Sequence, residues 1–264
     1  MGRRLTISLA LFALLASLFI AAGCGGGAAA RDYQAGSTQQ QVVAFTNLGR
    51  VLLSQGELAG ALVQLSRAEA LDPTNPDILT LLGMTYFSRG DYDKALGYLQ
   101  GALAQDPTKT DVHNNLGLVY MEQNQHELAR REFEICLADP TYINSHLPLL
   151  NLGRLAEAQG AMDQAESYYR QIVALNPQYP PAYYRIARIY DAGGRTSEAI
   201  DYLQNAVRLN PAYVDAFYLL AQTYEKAGRV DEAADAYGQV VNLSPNTPIA
   251  IEAQRQARRV LGFD

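Results

Sequence analysis

An all-α fold, built as a row of helical hairpins, is predicted by two residue ladders and a recurring turn. The first ladder is a Leu-Gly pair, at Leu48-Gly49, Leu82-Gly83, Leu116-Gly117 and Leu152-Gly153, continued as Ile186-Ala187 and Leu220-Ala221, with steps of 34, 34, 36, 34 and 34 residues. The second is proline, at Pro73, Pro107, Pro140, Pro177, Pro211 and Pro245, with steps of 34, 33, 37, 34 and 34. Two unrelated residue types that keep one period mark a single supersecondary unit repeated in tandem. Such units cannot bury an apolar face alone, so they stack. The turn lies midway through each unit at Gly56, Gly90, Asn124, Gly160, Gly194 and Gly228, residue types that tolerate the left-handed conformation ending a helix. Repeats therefore run 42–75, 76–109, 110–145, 146–179, 180–213 and 214–247, followed by a capping helix over 248–264.

Taken in chain order, the first element is an address. Arg3 and Arg4 precede an uncharged run from Leu5 to Ile20, and Ala21-Ala22-Gly23 stands directly before Cys24, the outline of a secretory signal peptide over 1–23. Small residues followed at once by cysteine resemble the bacterial lipobox. That resemblance implies cleavage before Cys24 and acylation of its thiol, with Ala21 in the place where leucine is commonest. An uncleaved anchor helix is the alternative, because about 18 apolar residues can just span a bilayer, and either arrangement tethers the chain. Gly25 stands where lipoproteins held at the inner membrane often have Asp, so the resemblance favours an outer-membrane lipoprotein facing the periplasm of a bacterial envelope. Residues 24–41 show no apolar periodicity until Val42 and read as a flexible linker with a reach on the order of 20 Å.

Within the repeats each position has a steric reason. Position 8 (Gly49, Gly83, Gly117, Gly153, Ala187, Ala221) and position 20 (Ala61, Ala95, Ala129, Ala165, Ala199, Ala233) are small, which lets paired helices approach. Position 11 (Leu52, Tyr86, Tyr120, Ala156, Tyr190, Tyr224) and position 24 (Leu65, Leu99, Phe133, Tyr169, Leu203, Tyr237) are bulky apart from Ala156, and fill the space between. Asp93, Glu127, Asp163, Ser197 and Asp231 fall near the start of the second helices, where they suit the partial positive charge. In the last segment Ile249, Ala253, Ala257 and Val260 or Leu261 form one face against Glu252, Gln254, Arg255, Gln256, Arg258 and Arg259, the pattern of an end cap.

The repeat so defined resembles the tetratricopeptide repeat (TPR). That likeness implies a right-handed superhelical α-solenoid that binds other proteins, with the first helix of each hairpin lining the concave side through positions 2, 5, 9 and 12. The groove residues are then Arg50, Met84, Phe87, Asn114, Leu118 and Met121 toward the front, and Arg154, Tyr184, Arg188, Tyr218 and Gln222 toward the rear with Arg185 beside them. An apolar stretch next to aromatic and arginine groups suits an extended or helical segment of a partner. For Met84, Phe87, Leu118 and Met121 a second reading stands equally, packing between neighbouring repeats. The carboxylate clamp of chaperone-tail receptors with this fold is not matched, because Leu118 and Pro181 occupy positions that need polar or basic residues.

Composition narrows the function further. The formal charge is −6, and −8 without residues 1–23, so no basic nucleic-acid footprint exists. Beyond Cys24 only Cys136 remains, so no internal disulfide forms, and Cys136 falls where other repeats place Ala, Ile or Val and reads as a small core residue. His113, His126 and His146 are 13 and 20 residues apart without carboxylate or cysteine at metal-ligand spacing. With no phosphate loop and no nucleophile elbow, no metal, cofactor, small-molecule substrate or catalysis is expected.

One irregularity points to a narrower family. Between Leu137 and Leu150 the proline comes a residue early and three additional residues precede the next hairpin, through Asp139-Pro140-Thr141-Tyr142. A lengthened Asp-x-x-Tyr crossing between the third and fourth of six repeats, together with a lipobox, resembles the type IV pilus biogenesis and stability lipoproteins, the PilF/PilW group. That resemblance implies a pilotin, which helps an outer-membrane secretin reach its membrane and assemble. The competing expectation is a general periplasmic scaffold for polysaccharide export or outer-membrane assembly, with an enzyme as a remote third.

Overall fold

The computed structural model describes residues 26–263, with side chains from Ser37 onward. The expected signal peptide over 1–23 and the lipidation site Cys24 lie outside the described residues. Among those described there are thirteen helices and no strand. The hairpins are α1 (Gly26–Ser54) with α2 (Leu58–Leu71), α3 (Pro76–Ser88) with α4 (Tyr92–Gln105), α5 (Thr110–Glu122) with α6 (His126–Ala138), α7 (His146–Ala158) with α8 (Met162–Leu175), α9 (Pro180–Ala192) with α10 (Thr196–Leu209), and α11 (Val214–Lys226) with α12 (Val230–Leu243). A last helix, α13 (Pro248–Val260), follows. Pro76, Thr110, His146, Pro180, Val214 and Pro248, the starts read from the period, each open a helix. No helix among the described residues is long and apolar enough to cross a membrane.

The N-terminus differs from expectation. Helix α1 runs back to Gly26 through most of the stretch read as a flexible linker. Once the turn at Val42 is fixed by packing, helix extends without a second nucleation cost, and Ala28–Ala30 and Gln39–Gln41 are adequate helix formers.

The chain divides into two compact units, met at Thr108 and Lys109. The first holds α1 to α4, with a core of Val42, Ala61, Leu65, Ala68, Ile78 and Leu82. The second holds α5 to α13, with clusters around Phe133 and Leu152, around Tyr169 and Ile186, and around Leu203 and Tyr237.

Each hairpin turns in the same way. Gly90, at φ +79°, donates its N–H to the carbonyl of Phe87 at 2.9 Å, and Asp91 donates to Tyr86 at 3.0 Å. Two carbonyls that the helix end would leave bare are thereby satisfied. Asn124, at φ +58°, is the one substitute for glycine at this turn and keeps both bonds, at 3.0 Å to Met121 and from Gln125 to Tyr120 at 2.8 Å. Acidic residues at the second-helix starts do not cap. No side-chain cap bond is made by Asp91, Gln125, Ala161, Arg195 or Arg229. Asp93, Glu127, Asp163 and Asp231 place charge in the first turn, as expected, and in α10 Glu198 does so beside Ser197.

Between hairpins, the residue before the ladder proline folds its side chain over the turn. Oδ1 of Asp106, Asp139, Asn176 and Asn210 accepts from the N–H two residues on, at 3.0, 2.8, 3.1 and 3.0 Å. At the long crossing Asp139 does more. Its Oδ1 accepts from the Thr141 hydroxyl at 2.6 Å, as that of Asp106 does from Thr108, but its Oδ2 also accepts from the Thr110 hydroxyl at the start of α5, and Ser145 donates to the Tyr142 carbonyl at 2.6 Å.

Inside each hairpin the small residue at position 8 faces the bulky one at position 24. A Cβ on Gly117 would lie 2.4 Å from the Phe133 ring, and one on Gly153 2.3 Å from that of Tyr169. α13 buries Ala250 and Ala253 and lays Ile249 and Ala257 on the cluster containing Tyr237 and Val240, while Leu261 stays exposed.

Candidate protein-binding surface

In the second unit the end of α5, α7, the start of α8 and α9 border an open cleft of about 530 Å³, lined by Met121, Arg154, Glu157, Met162, Arg185, Arg188 and neighbouring Ile189. The period places Arg154 and Arg188 at the same turn of successive first helices, so both reach one space. Glu157 is held from two sides. Arg185 Nη1 donates to its Oε2 at 3.2 Å and the Tyr169 hydroxyl donates to its Oε1 at 3.0 Å. Burial pushes the Tyr169 phenol well above its ordinary pKa, so it remains a donor. The same tie recurs one end further on, where Tyr237 donates to Glu225 Oε2 at 3.2 Å and Arg259 of α13 pairs with Glu225. Tyrosine at position 24, carboxylate at position 12 and arginine from the following element thus form a fastening between successive elements. Arg185 is occupied by it. Arg154, half-buried, and Arg188, exposed, have no carboxylate partner among the described residues.

The remaining groove expectations divide between contact and packing. Asn114 is buried, and its Oδ1 accepts from Asn151 Nδ2 at 3.1 Å, a hydrogen bond between α5 and α7. It is a satisfied polar pair, with little of it left exposed to a partner. Leu118 packs on the cluster of Phe133, Leu152 and Leu155; Met121 does so too while also lining the cleft. Tyr184 lies 5.2 Å from the Tyr213 ring, and Tyr218 meets Tyr237 edge-on at 5.8 Å. Gln222 is half-buried on α11. In the first unit Phe87 packs against Tyr92 at 5.9 Å, Met84 is half-buried, and Arg50 is exposed on α1. Met162, Ile189 and Glu157 were missed. Glu157 occupies position 12 and was legible from the period, whereas Met162 comes from a second helix.

The first unit also exposes a surface that the repeat pattern hides elsewhere. Leu82, Leu116, Leu152, Ile186 and Leu220 are 0 to 4% exposed, yet Leu48 at the same position is 46% exposed, and Val43 and Val51 beside it are 48% and 49%. Within this unit Leu82 rests in the core of the preceding hairpin, with Ala61, Leu65 and Ala68, whereas α1 has no preceding hairpin among the described residues.

The histidines and the cysteine of the described residues are placed as follows. His113 Nδ1 pairs with Glu132 at 2.7 Å, His146 packs 5.0 Å from Tyr179, and no group of histidine, cysteine and carboxylates there could hold a metal ion. Cys136 is fully buried, with its thiol pushed up to about 12 chiefly by burial, and its Sγ donates to the Thr110 carbonyl at 3.3 Å.

Stacked hairpins with glycine-ended first helices, small-to-bulky contacts at fixed positions and an amphipathic terminal helix define a class, the α-solenoid built for protein interaction. Tetratricopeptide-repeat profiles match residues 156–204 and 184–248, and a TPR-repeat profile matches 49–87 and 83–124. The chain is a tetratricopeptide-repeat protein, and it resembles the PilF/PilW proteins. PilF of Pseudomonas aeruginosa is 22% identical at a TM-score of 0.68, with 83% of this chain and 99% of that one covered. PilW, described as a widely conserved type IV pilus biogenesis factor, is 23% identical at 0.70, over 81% and 98%. YrrB, described as a TPR protein with an unusual peptide-binding site, is 19% identical at 0.50, over 72% and 97%. No curated protein sequence matches the chain. At these identities the likeness is one of fold.

Proposed function

We propose that this protein is a lipid-anchored scaffold of the bacterial outer membrane that assists assembly of a type IV pilus secretin, in the manner of a pilotin. The observation that carries the reading is the extent of the fold similarity, which takes in nearly the whole of the PilF and PilW chains rather than a few generic repeats. Two features of this sequence support it: the lipobox-like Ala21-Ala22-Gly23-Cys24, and the lengthened Asp139-to-Tyr142 crossing between the third and fourth hairpins. Acyl chains on Cys24, each buried methylene contributing about 0.8 kcal/mol, hold the protein at the membrane. The repeats stay in the periplasm, where the cleft and the open face of α1 are free to engage a partner. Crosslinking the protein in cells and identifying what it captures tests the reading. Secretin in the captured fraction, and loss of secretin multimers in a deletion strain, is the expected result. Capture of polysaccharide-export proteins alone, with secretin multimers unchanged, overturns it. The anchor is tested separately, because Cys24→Ser is expected to abolish labelling by radioactive palmitate and release the protein from membranes.

A further inference from the structure

We infer that the cleft bordered by α7, α8 and α9 receives a polypeptide segment in which a carboxylate side chain stands beside apolar ones, the carboxylate seated on Arg154 and Arg188. This rests on the protein-binding reading above and adds the chemistry of the partner.

Charge is the first argument. The chain carries a formal charge of −6, yet this cleft holds three guanidinium groups against one carboxylate, Glu157. Glu157 is already committed to Arg185 and to the Tyr169 hydroxyl, at 3.2 and 3.0 Å. Two guanidinium groups are left without an anion, and one of them, Arg154, is half-buried. A guanidinium drawn partly out of water gains most from a charge-assisted hydrogen bond, and its planar fork matches a carboxylate in two parallel contacts. Segments carrying lysine or arginine would meet like charge here.

The walls supply the second argument. Met121, Met162 and Ile189 present apolar surface to the same space. Methionine side chains adapt to varied shapes, so the residues flanking the carboxylate are apolar and loosely specified. Phosphate groups would use the arginines and leave these walls in contact with water. The open form of the cleft suits a segment lying across it rather than an enclosed small molecule.

The test presents purified protein to a display library of random peptides about twelve residues long, which reach about 40 Å in extended form and so more than cross the cleft. Selected peptides are expected to be enriched in Asp or Glu next to Leu, Ile, Met or Phe. Their binding, followed by fluorescence anisotropy, should weaken as salt screens the contact. Replacing the carboxylate with its amide in a selected peptide should weaken binding roughly tenfold. The variant R154A/R188A should lose that preference while keeping its helical circular dichroism, and R154E/R188E should select basic peptides instead. Should R154A/R188A lose helix, R188A alone, at an exposed residue, decides whether the preference falls. An empty selection, a selection with no acidic enrichment, or an unchanged preference in R154A/R188A would overturn the inference. Those results leave the scaffold reading standing if crosslinking in cells still captures secretin; capture that fails with the wild-type protein removes the scaffold reading instead.

Discussion

Leu48 and Leu82 are the same residue at the same repeat position, and they are expected to behave differently. Leu82 is fully buried and Leu48 is 46% exposed. Leu82→Ala leaves a cavity and should destabilise by about 2 to 5 kcal/mol, whereas Leu48→Ala should cost less than about 1 kcal/mol. Urea midpoints of the two variants check this, and equal losses would mean that α1 is covered. Cys136 offers a second check at this scale. With its thiol pushed up to about 12 by burial, almost no thiolate exists at pH 8, so iodoacetamide should leave folded protein unmodified and react only after unfolding. Arg154 and Arg188 were legible because the period fixes which way a first-helix side chain faces. The bond between Asn114 and Asn151 was not legible, because the two lie in successive repeats and the period says nothing of how two facing polar groups settle.

At the scale of the element, turns and first-helix starts were the most legible features and the fixation of the crossings the least. Glycine or asparagine at the end of each first helix is a local requirement for positive φ, so sequence alone locates it. The acidic residues near the second-helix starts were expected to suit the partial positive charge there, and they do lie in the first turn. The long crossing shows what spacing cannot convey. Its length was visible, while its fixation by Asp139, which reaches back to the Thr110 hydroxyl, was not. Hydrogen bonds from Thr110 and then Thr141 hold the Asp139 carboxyl below the usual carboxylate range. A depressed folded pKa means that the contribution is present above the unfolded value, near 4, and is lost as pH falls through the folded one. Asp139→Asn should therefore shrink the fall in urea midpoint between pH 5 and pH 3, measured beside wild type.

For the molecule as a whole, a repeat array must solve the problem of its ends. α13 solves it for the second unit by covering the cluster that contains Tyr237 and Val240. Deleting residues 248–264 is expected to lower the thermal midpoint by roughly 4 °C or more and to promote aggregation, read by calorimetry and light scattering. The first unit keeps its open face on α1, and nothing in the described chain closes it. A surface of that kind, with the arginine-bearing cleft of the second unit, is where an interaction scaffold differs from a protein that only has to fold.

Period, hairpin boundaries, turn residues and the pairing of small with bulky positions were determined by the sequence alone, because each is a constraint met within one repeat and restated in the next. Tertiary structure alone decided which copy of a repeated residue meets water and which arginine is already spent. Those outcomes depend on what a neighbouring element presents across the contact, and identical letters at identical spacing carry no record of it.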